Sequence, residues 1–148
     1  MRPQMTVTPQ EPLIKQEPFS VPFEIDNTGY FSFPVDHVFV YMNEIRYGHM
    51  LVTRSVSHRS EWDRFILDRG EGKTIVTRIA NFKPETADIA VVIDYRPFKR
   101  FPISFRRYFR FVGAYGDTWQ WLKQPSSEIQ DAAASEIDRR LRNFAFSR

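Results

Sequence analysis

The chain has 148 residues, a length that fits one domain with an arm better than two full cores. Its composition is 42% hydrophobic and 16% aromatic, with 14 phenylalanines, which is enough for a packed core and for aromatic contact surface besides. The net charge of +3 is modest, and the absence of cysteine excludes a disulfide framework, a cysteine-bearing zinc site and a cysteine nucleophile.

Residues 1–22 carry Pro3, Pro9, Pro12, Pro18 and Pro22 among Gln, Thr and Glu. Proline fixes φ and removes a backbone donor, so this stretch is expected to be an extended arm that becomes ordered on a partner. It has no continuous apolar segment of the secretory kind. Nowhere does an apolar run approach the roughly 18 to 20 residues that a membrane span requires.

Residues 23–96 read as a mainly antiparallel β region. Tyr30-Phe31-Ser32-Phe33 and His37-Val38-Phe39-Val40-Tyr41-Met42 are rich in aromatic and β-branched residues, and Asn27-Thr28-Gly29 and Asn43-Glu44 bound them. A turn at Tyr47-Gly48-His49 leads into Met50-Leu51-Val52-Thr53. Glu61 to Leu67 reads as a helical turn or packed loop, and Asp68-Arg69-Gly70-Glu71-Gly72 as a hairpin connection. Thr74 to Ile79 is expected to be a partly buried strand, and the apolar run Ile89-Ala90-Val91-Val92-Ile93 an inner one.

After Pro97 the pattern changes. Phe105, Tyr108, Phe109, Val112, Trp119 and Leu122 recur at mostly helical spacings behind Pro102, with Gly113 and Gly116 as a break or a place of close approach. Ser127 and Gln130 have capping-box spacing, and Ile129, Ala133, Ile137 and Leu141 share one helical face. The expectation is a helical hairpin over 101–146. The fold class is therefore α+β: an arm over 1–22, then a single domain over 23–148 with a β region and a C-terminal helical hairpin.

Chemistry-bearing constellations are scarce. His37, His49 and His58 show no metal-ligand spacing, and only His37 stands beside a carboxylate, Asp36. Gly70-Glu71-Gly72-Lys73-Thr74 resembles a phosphate loop, but Leu67 occupies the place of its first glycine and a strand follows it. No G-x-S-x-G occurs, and no carboxylates stand out as an acid/base pair. The expectation is a non-enzymatic chain with no catalytic residue, no metal and no cofactor.

One feature points to a partner. Residues 96–110 hold Arg96, Lys99, Arg100, Arg106, Arg107 and Arg110 and no acidic residue. Arginine interleaved with Phe and Tyr can contact phosphates and stack on bases, or meet an acidic protein surface. Phe105, Tyr108 and Phe109 are equally explained as core residues.

The same stretch, YRPFKRFPISFRRYFR over 95–110, resembles an element of the tail tubular protein A family, the head-to-tail adaptors of short-tailed bacteriophages. Phe101-Pro102, Phe105-Arg106 and Tyr108 take the places of the family's step into a long helix. Glu136-Ile137-Asp138-Arg139-Arg140 is similar to a turn of its second helix, and Phe23-Glu24-Ile25 with Phe33-Pro34-Val35-Asp36 to its strand pair. The resemblance spans residues 19–146. It departs where the family begins with helices, and at Val112-Gly113-Ala114-Tyr115-Gly116 within the first long helix. It implies a virion structural protein, assembled in the host cytoplasm: a homo-oligomeric ring, usually of twelve subunits, between portal protein and tail nozzle, with tail fibres nearby. Genomic DNA would pass through the lumen, and no membrane is involved. The six basic residues would then face DNA or a neighbouring protein, and Trp119, Trp121, Arg139, Arg140 and Arg142 would serve subunit or portal docking. The alternative is a nucleic-acid-binding module that uses residues 96–110.

Overall fold

The computed structural model describes residues 3–12, 19–78 and 83–146, with side chains followed to residue 143. Among them, nine strands, one 3-10 turn and one helix follow in chain order. They are β1 (Met5–Pro9), β2 (Ser20–Asn27), β3 (Phe33–Tyr47), β4 (Met50–Ser57), the 3-10 turn (Ser60–Trp62), β5 (Phe65–Leu67), β6 (Gly72–Arg78), β7 (Thr86–Tyr95), β8 (Phe105–Tyr115), β9 (Trp119–Gln124) and α1 (Gln130–Phe146). A small sheet, β1-β2-β6, packs on one face of a large antiparallel sheet, β4-β3-β7-β8-β9, whose strand β3 also pairs with β5. The helix covers the other face. Two apolar layers result. One lies between the sheets around Phe23, Ile25, Val91 and Phe111, and the other lies under the helix around Phe39, Tyr41, Val92, Ala133 and Ile137.

The two central strands explain why these layers form. In β7, Ile89, Val91 and Ile93 point into the inter-sheet layer while Ala90 and Val92 meet the helix side, so the apolar run is buried on both faces. Each such aliphatic side chain contributes about 1.5–3 kcal/mol by leaving water. Strand β3 does the same over fifteen residues with two interruptions of its pairing to β7, between Val35 and His37 and between Met42 and Glu44. Each extra residue shifts the alternation by one. Phe33 and Val35, then Val38, Val40 and Met42, then Ile45 therefore all reach the same inter-sheet layer. Gly48, at φ 54, opens the two-residue turn that brings β4 back along β3.

The helical hairpin expected over 101–146 does not form. Its first half is a β-hairpin: β8 pairs with β7 from Thr86↔Ala114 to Tyr95↔Phe105, and β9 returns along β8. The buried positions of β8 are Phe109, Phe111 and Gly113, a period of two that decides against a helix. Gly113 admits the Trp121 indole, its cross-strand neighbour, and Gly116 lies in the connecting turn. The second helix is present as α1, with Ile129, Ala133 and Ile137 buried against the sheet. Its start is held by Ser126, whose Oγ accepts from Gln130 Nε2 at 2.7 Å, one residue ahead of the expected cap.

The arm is corrected too. Met5–Pro9 is β1, paired along β2, with Met5 and Val7 in the core, and residues 20–22 already belong to β2. Proline is tolerated at the end of β1 because that strand is an edge of the small sheet. Residues 13–18 of the expected arm, and Ile79, lie outside the described residues. The turn at 68–72 joins β5 in the large sheet to β6 in the small one, so it is a crossover and not a hairpin. The described residues are mostly antiparallel β with one C-terminal helix.

Candidate functional site

Two loops, 28–32 between β2 and β3 and 96–104 between β7 and β8, meet at one end of the sandwich. They expose Tyr30 (74%), Phe31 (66%) and Phe98 (56%), together with Ile103 and Phe105. Two adjoining hollows of about 440 and 480 Å³ share Pro3, Pro97 and Phe98. An aromatic series leads out from the core to this surface. Buried Phe33 and Tyr95 stand 6.1 Å apart, Phe105 is 6.2 Å from Tyr95, Phe101 stacks at 5.7 Å on Phe105, and Phe98 meets Phe101 edge-on at 5.0 Å. Large aromatic side chains of this kind are the ones that interfaces commonly use as anchors.

Both loops are fixed by polar side chains. Asn27, buried at the end of β2, donates from Nδ2 to the carbonyls of Phe31 (2.9 Å) and Leu67 (3.0 Å), and its Oδ1 accepts from Gly29 N–H at 2.9 Å. Asp36, the residue at the first β3 irregularity, receives Arg96 Nε at 3.2 Å on each oxygen and also the Ser104 hydroxyl. One carboxylate thereby ties down both ends of the 96–104 loop. Arg96 adds a bond from Nη1 to the Lys99 carbonyl at 2.7 Å and one from its backbone N–H to Pro34 O at 3.0 Å. A surface held in shape before binding loses less entropy when a partner arrives.

The six basic residues of 96–110 do not form one face. Arg106 and Arg110 lie between the large sheet and α1. Arg106 forks onto Asp94 (Nε–Oδ1 2.6 Å, Nη2–Oδ2 3.1 Å) and also reaches Asp138. Arg110 forks onto Asp88 (2.9 and 2.7 Å) and reaches Glu128. The Asp94 hydrogen bond, against the opposing effect of burial, holds Arg106 above the ordinary guanidinium value, and Asp88 does the same for Arg110. These two arginines cement the helix to the sheet. Arg107 is on the opposite side, bonded to Pro3 O at 3.4 Å with its guanidinium 5.0 Å over the Phe109 ring. Arg96 is occupied as above. Lys99 and Arg100 are exposed beside Phe98 and form a basic rim to the aromatic surface. Arg69 adds a third cation, its guanidinium 4.4 Å over Tyr30.

Of the remaining expected docking residues, Trp119 is buried and Trp121 half-buried against the core. Their indoles stack at 4.7 Å, Trp119 meets Phe19 edge-on, and Trp121 meets Phe23. The Trp121 Nε1 is buried without a hydrogen-bond partner among the described residues. Arg139 pairs with Glu136 along the helix, Arg140 donates to Val56 O and so joins α1 to β4, and Arg142 is exposed.

Sequence reasoning missed Tyr30, Phe31, Phe98 and Ile103 as site residues. Tyr30 and Phe31 belong to a stretch that reads in the sequence as a strand, but β3 begins only at Phe33 and both fall in the loop before it; Phe98 and Ile103 follow Pro97 in the loop before β8. Sequence reasoning also missed that His37 and His58 converge on Asp63. No family model matches this chain, and neither the curated proteins nor the solved structures provide a match.

Proposed function

We propose that this chain is a structural assembly subunit, acting without catalysis, and that it docks through the aromatic end onto a neighbouring copy in a ring. The observation that supports this is the exposed, preorganised surface of Tyr30, Phe31, Phe98 and Phe105, with the exposed Lys99 and Arg100 next to Phe98 in the chain. Aromatic anchors supply most of the affinity of an interface, and rim charges select partner and register. In a ring each contact joins two different faces of one chain, so an aromatic end meeting a different face of its neighbour suits that symmetry. The finer reading, a head-to-tail connector of a short-tailed phage seated between portal and nozzle, rests on the resemblance over 95–110 and 136–140. The first helix of that resemblance is replaced here by β8 and β9, while residues 136–140 lie in α1.

Light scattering after size exclusion tests the proposal over a range of protein concentrations, with and without the portal protein of the same virion. Wild type is expected as a defined oligomer, or to become one on the portal, with cross-links from Lys99 to a neighbouring copy. Removing two anchors by Phe98→Ser and Phe105→Ser, at about 2 kcal/mol each, weakens association roughly a thousandfold while the melting temperature stays near wild type. A strictly monomeric wild type under every condition rejects the proposal. Salt-sensitive DNA binding by that monomer, lost with Lys99→Ala and Arg100→Ala, would replace it with the nucleic-acid reading.

A further inference from the structure

On the helix side of the large sheet, three side chains from three segments converge. His37 belongs to β3 just after its first irregularity, His58 follows β4, and Asp63 follows the 3-10 turn. Their ligand atoms all lie within 4.8 Å of one another. His37 Nδ1 is 2.9 Å and His58 Nε2 2.6 Å from the same carboxylate oxygen, Asp63 Oδ1. Both rings thus aim a nitrogen at one point beside one oxygen.

The surroundings fix that aim. The Phe39 ring, fully buried, stands 5.0 Å from the His58 ring and 5.7 Å from the His37 ring, so it braces both imidazoles. Asp63 is carried on a segment nailed down by buried Trp62, with Asp63 N–H bonded to Ser60 O at 3.1 Å. The next residue, Arg64, adopts a left-handed backbone (φ 54) and donates its N–H to Asp36 O at 3.1 Å, which joins the segment to the β3 irregularity. Access differs among the three: His58 is 10% exposed and His37 32%, so one side of the cluster opens to solvent.

The geometry points to a binding site for a divalent transition ion, zinc by its ligand chemistry, held by His37 Nδ1, His58 Nε2 and Asp63 Oδ1. Two imidazoles and one carboxylate suit zinc and its first-row neighbours, whereas magnesium and calcium take oxygen ligands. Bonds of about 2.0–2.2 Å in a tetrahedral set separate ligand atoms by roughly 3.3–3.5 Å. The two imidazole–carboxylate spacings therefore need to open by only several tenths of an ångström, which side-chain rotation supplies. On binding, each ring presents a lone pair to the ion and carries its N–H on the other nitrogen, and Asp63 changes from hydrogen-bond acceptor to ligand. Three protein ligands leave the fourth position on the exposed side, next to His37, for water or a donor atom from outside. The ion would clamp the 58–63 segment onto β3. The inference is independent of the docking proposal, since none of the three residues belongs to the aromatic end.

The test uses tag-free full-length protein stripped with a chelator, titrated with zinc chloride by calorimetry and with cobalt(II) by visible absorption. Expected are one zinc per chain at micromolar affinity or tighter, and a cobalt spectrum of tetrahedral or five-coordinate intensity. At a hundredfold excess over Kd the melting temperature should rise by about 5–10 °C. His37→Gln and His58→Gln each weaken zinc binding at least tenfold, while His49→Gln, in the exposed β3–β4 turn, leaves it unchanged. Should a variant fail to fold, the cobalt spectrum of the wild type still decides. No saturable zinc binding up to millimolar concentration, or binding indifferent to His58→Gln, overturns the inference.

Discussion

Replacing Gly113 by alanine separates the sheet from the helix in a single sign. An ideal Cβ at Gly113 would fall 2.5 Å from Trp121 Cε3 and 2.8 Å from its Cδ2 and Cζ3, far inside ordinary contact. The indole has little room to retreat, because the Trp119 ring stacks on it at 4.7 Å and Phe23 stands 6.1 Å away on its edge. Overpacking of this kind costs about 1–3 kcal/mol. Removing the freedom of glycine from the unfolded chain returns about 0.4–1 kcal/mol. The net loss is about 1–2 kcal/mol, a fall of roughly 3–8 °C in melting temperature for a chain of this size. Were residue 113 inside a helix, alanine would instead stabilise by about 1 kcal/mol. Gly116 provides the control, since a Cβ there meets nothing within 4 Å and Gly116→Ala should be close to neutral. Urea unfolding followed by tryptophan fluorescence, with circular dichroism melts, measures all three proteins. A Gly113→Ala variant that melts at or above wild type refutes the packing described for β8 and β9.

Two other perturbations probe the helix side of the large sheet. Asp94→Ala takes the forked partner from Arg106, leaving it the exposed Asp138 at 3.2 Å and Tyr108, and should cost about 2–4 kcal/mol in urea unfolding; joint replacement as Asp94→Leu with Arg106→Met should recover most of the loss, and an additive double variant would contradict the coupling. Tyr41 is raised above the ordinary phenol value first by burial, opposed by Arg54 and aided by Glu136 and Asp88. Its neutral form is the one the fold favours, so its contribution is complete below about pH 10 and is lost as pH climbs through the folded-state value. The drop in unfolding midpoint between about pH 9 and 11 should be smaller in Tyr41→Phe than in wild type, and equal drops would reject the assignment.

The strands legible in the sequence are those whose burial is nearly independent of neighbours. Ile89 to Ile93 is apolar throughout and becomes the two-sided centre of β7, and the Ile129, Ala133, Ile137 stripe becomes the buried face of α1. Strand β8 was obscured by coincidence. Phe105, Tyr108, Phe109 and Val112 suit a helical period, while Arg106 and Arg110 share a face in either structure. Only the closer alternation of Phe109, Phe111 and Gly113 carries the sheet period, and the pairing with β7 that decides it is non-local. The aromatic end was legible as composition but not as a place, because nothing in the order of residues brings 28–32 against 96–104. The run of six cations misled for a related reason. Its carboxylate partners Asp36, Asp88 and Asp94 come from two neighbouring strands, β3 and β7, and their proximity follows from register.

The two irregularities of β3 make that strand read in three phases. Phe33 and Val35 are in one, Val38 to Met42 in the next, and Ile45 in the third, yet one core receives them all. The strand is therefore a vernier as much as a beam: its length can be held while the facing of any single side chain is reset. At Asp36 the step of phase presents a carboxylate to the 96–104 loop and, one residue on, turns an imidazole to the helix side of the sheet. The docking end and the histidine cluster are set by the same displaced residue, so a length change there would alter both surfaces at once while leaving the pairing beyond Val38 in place.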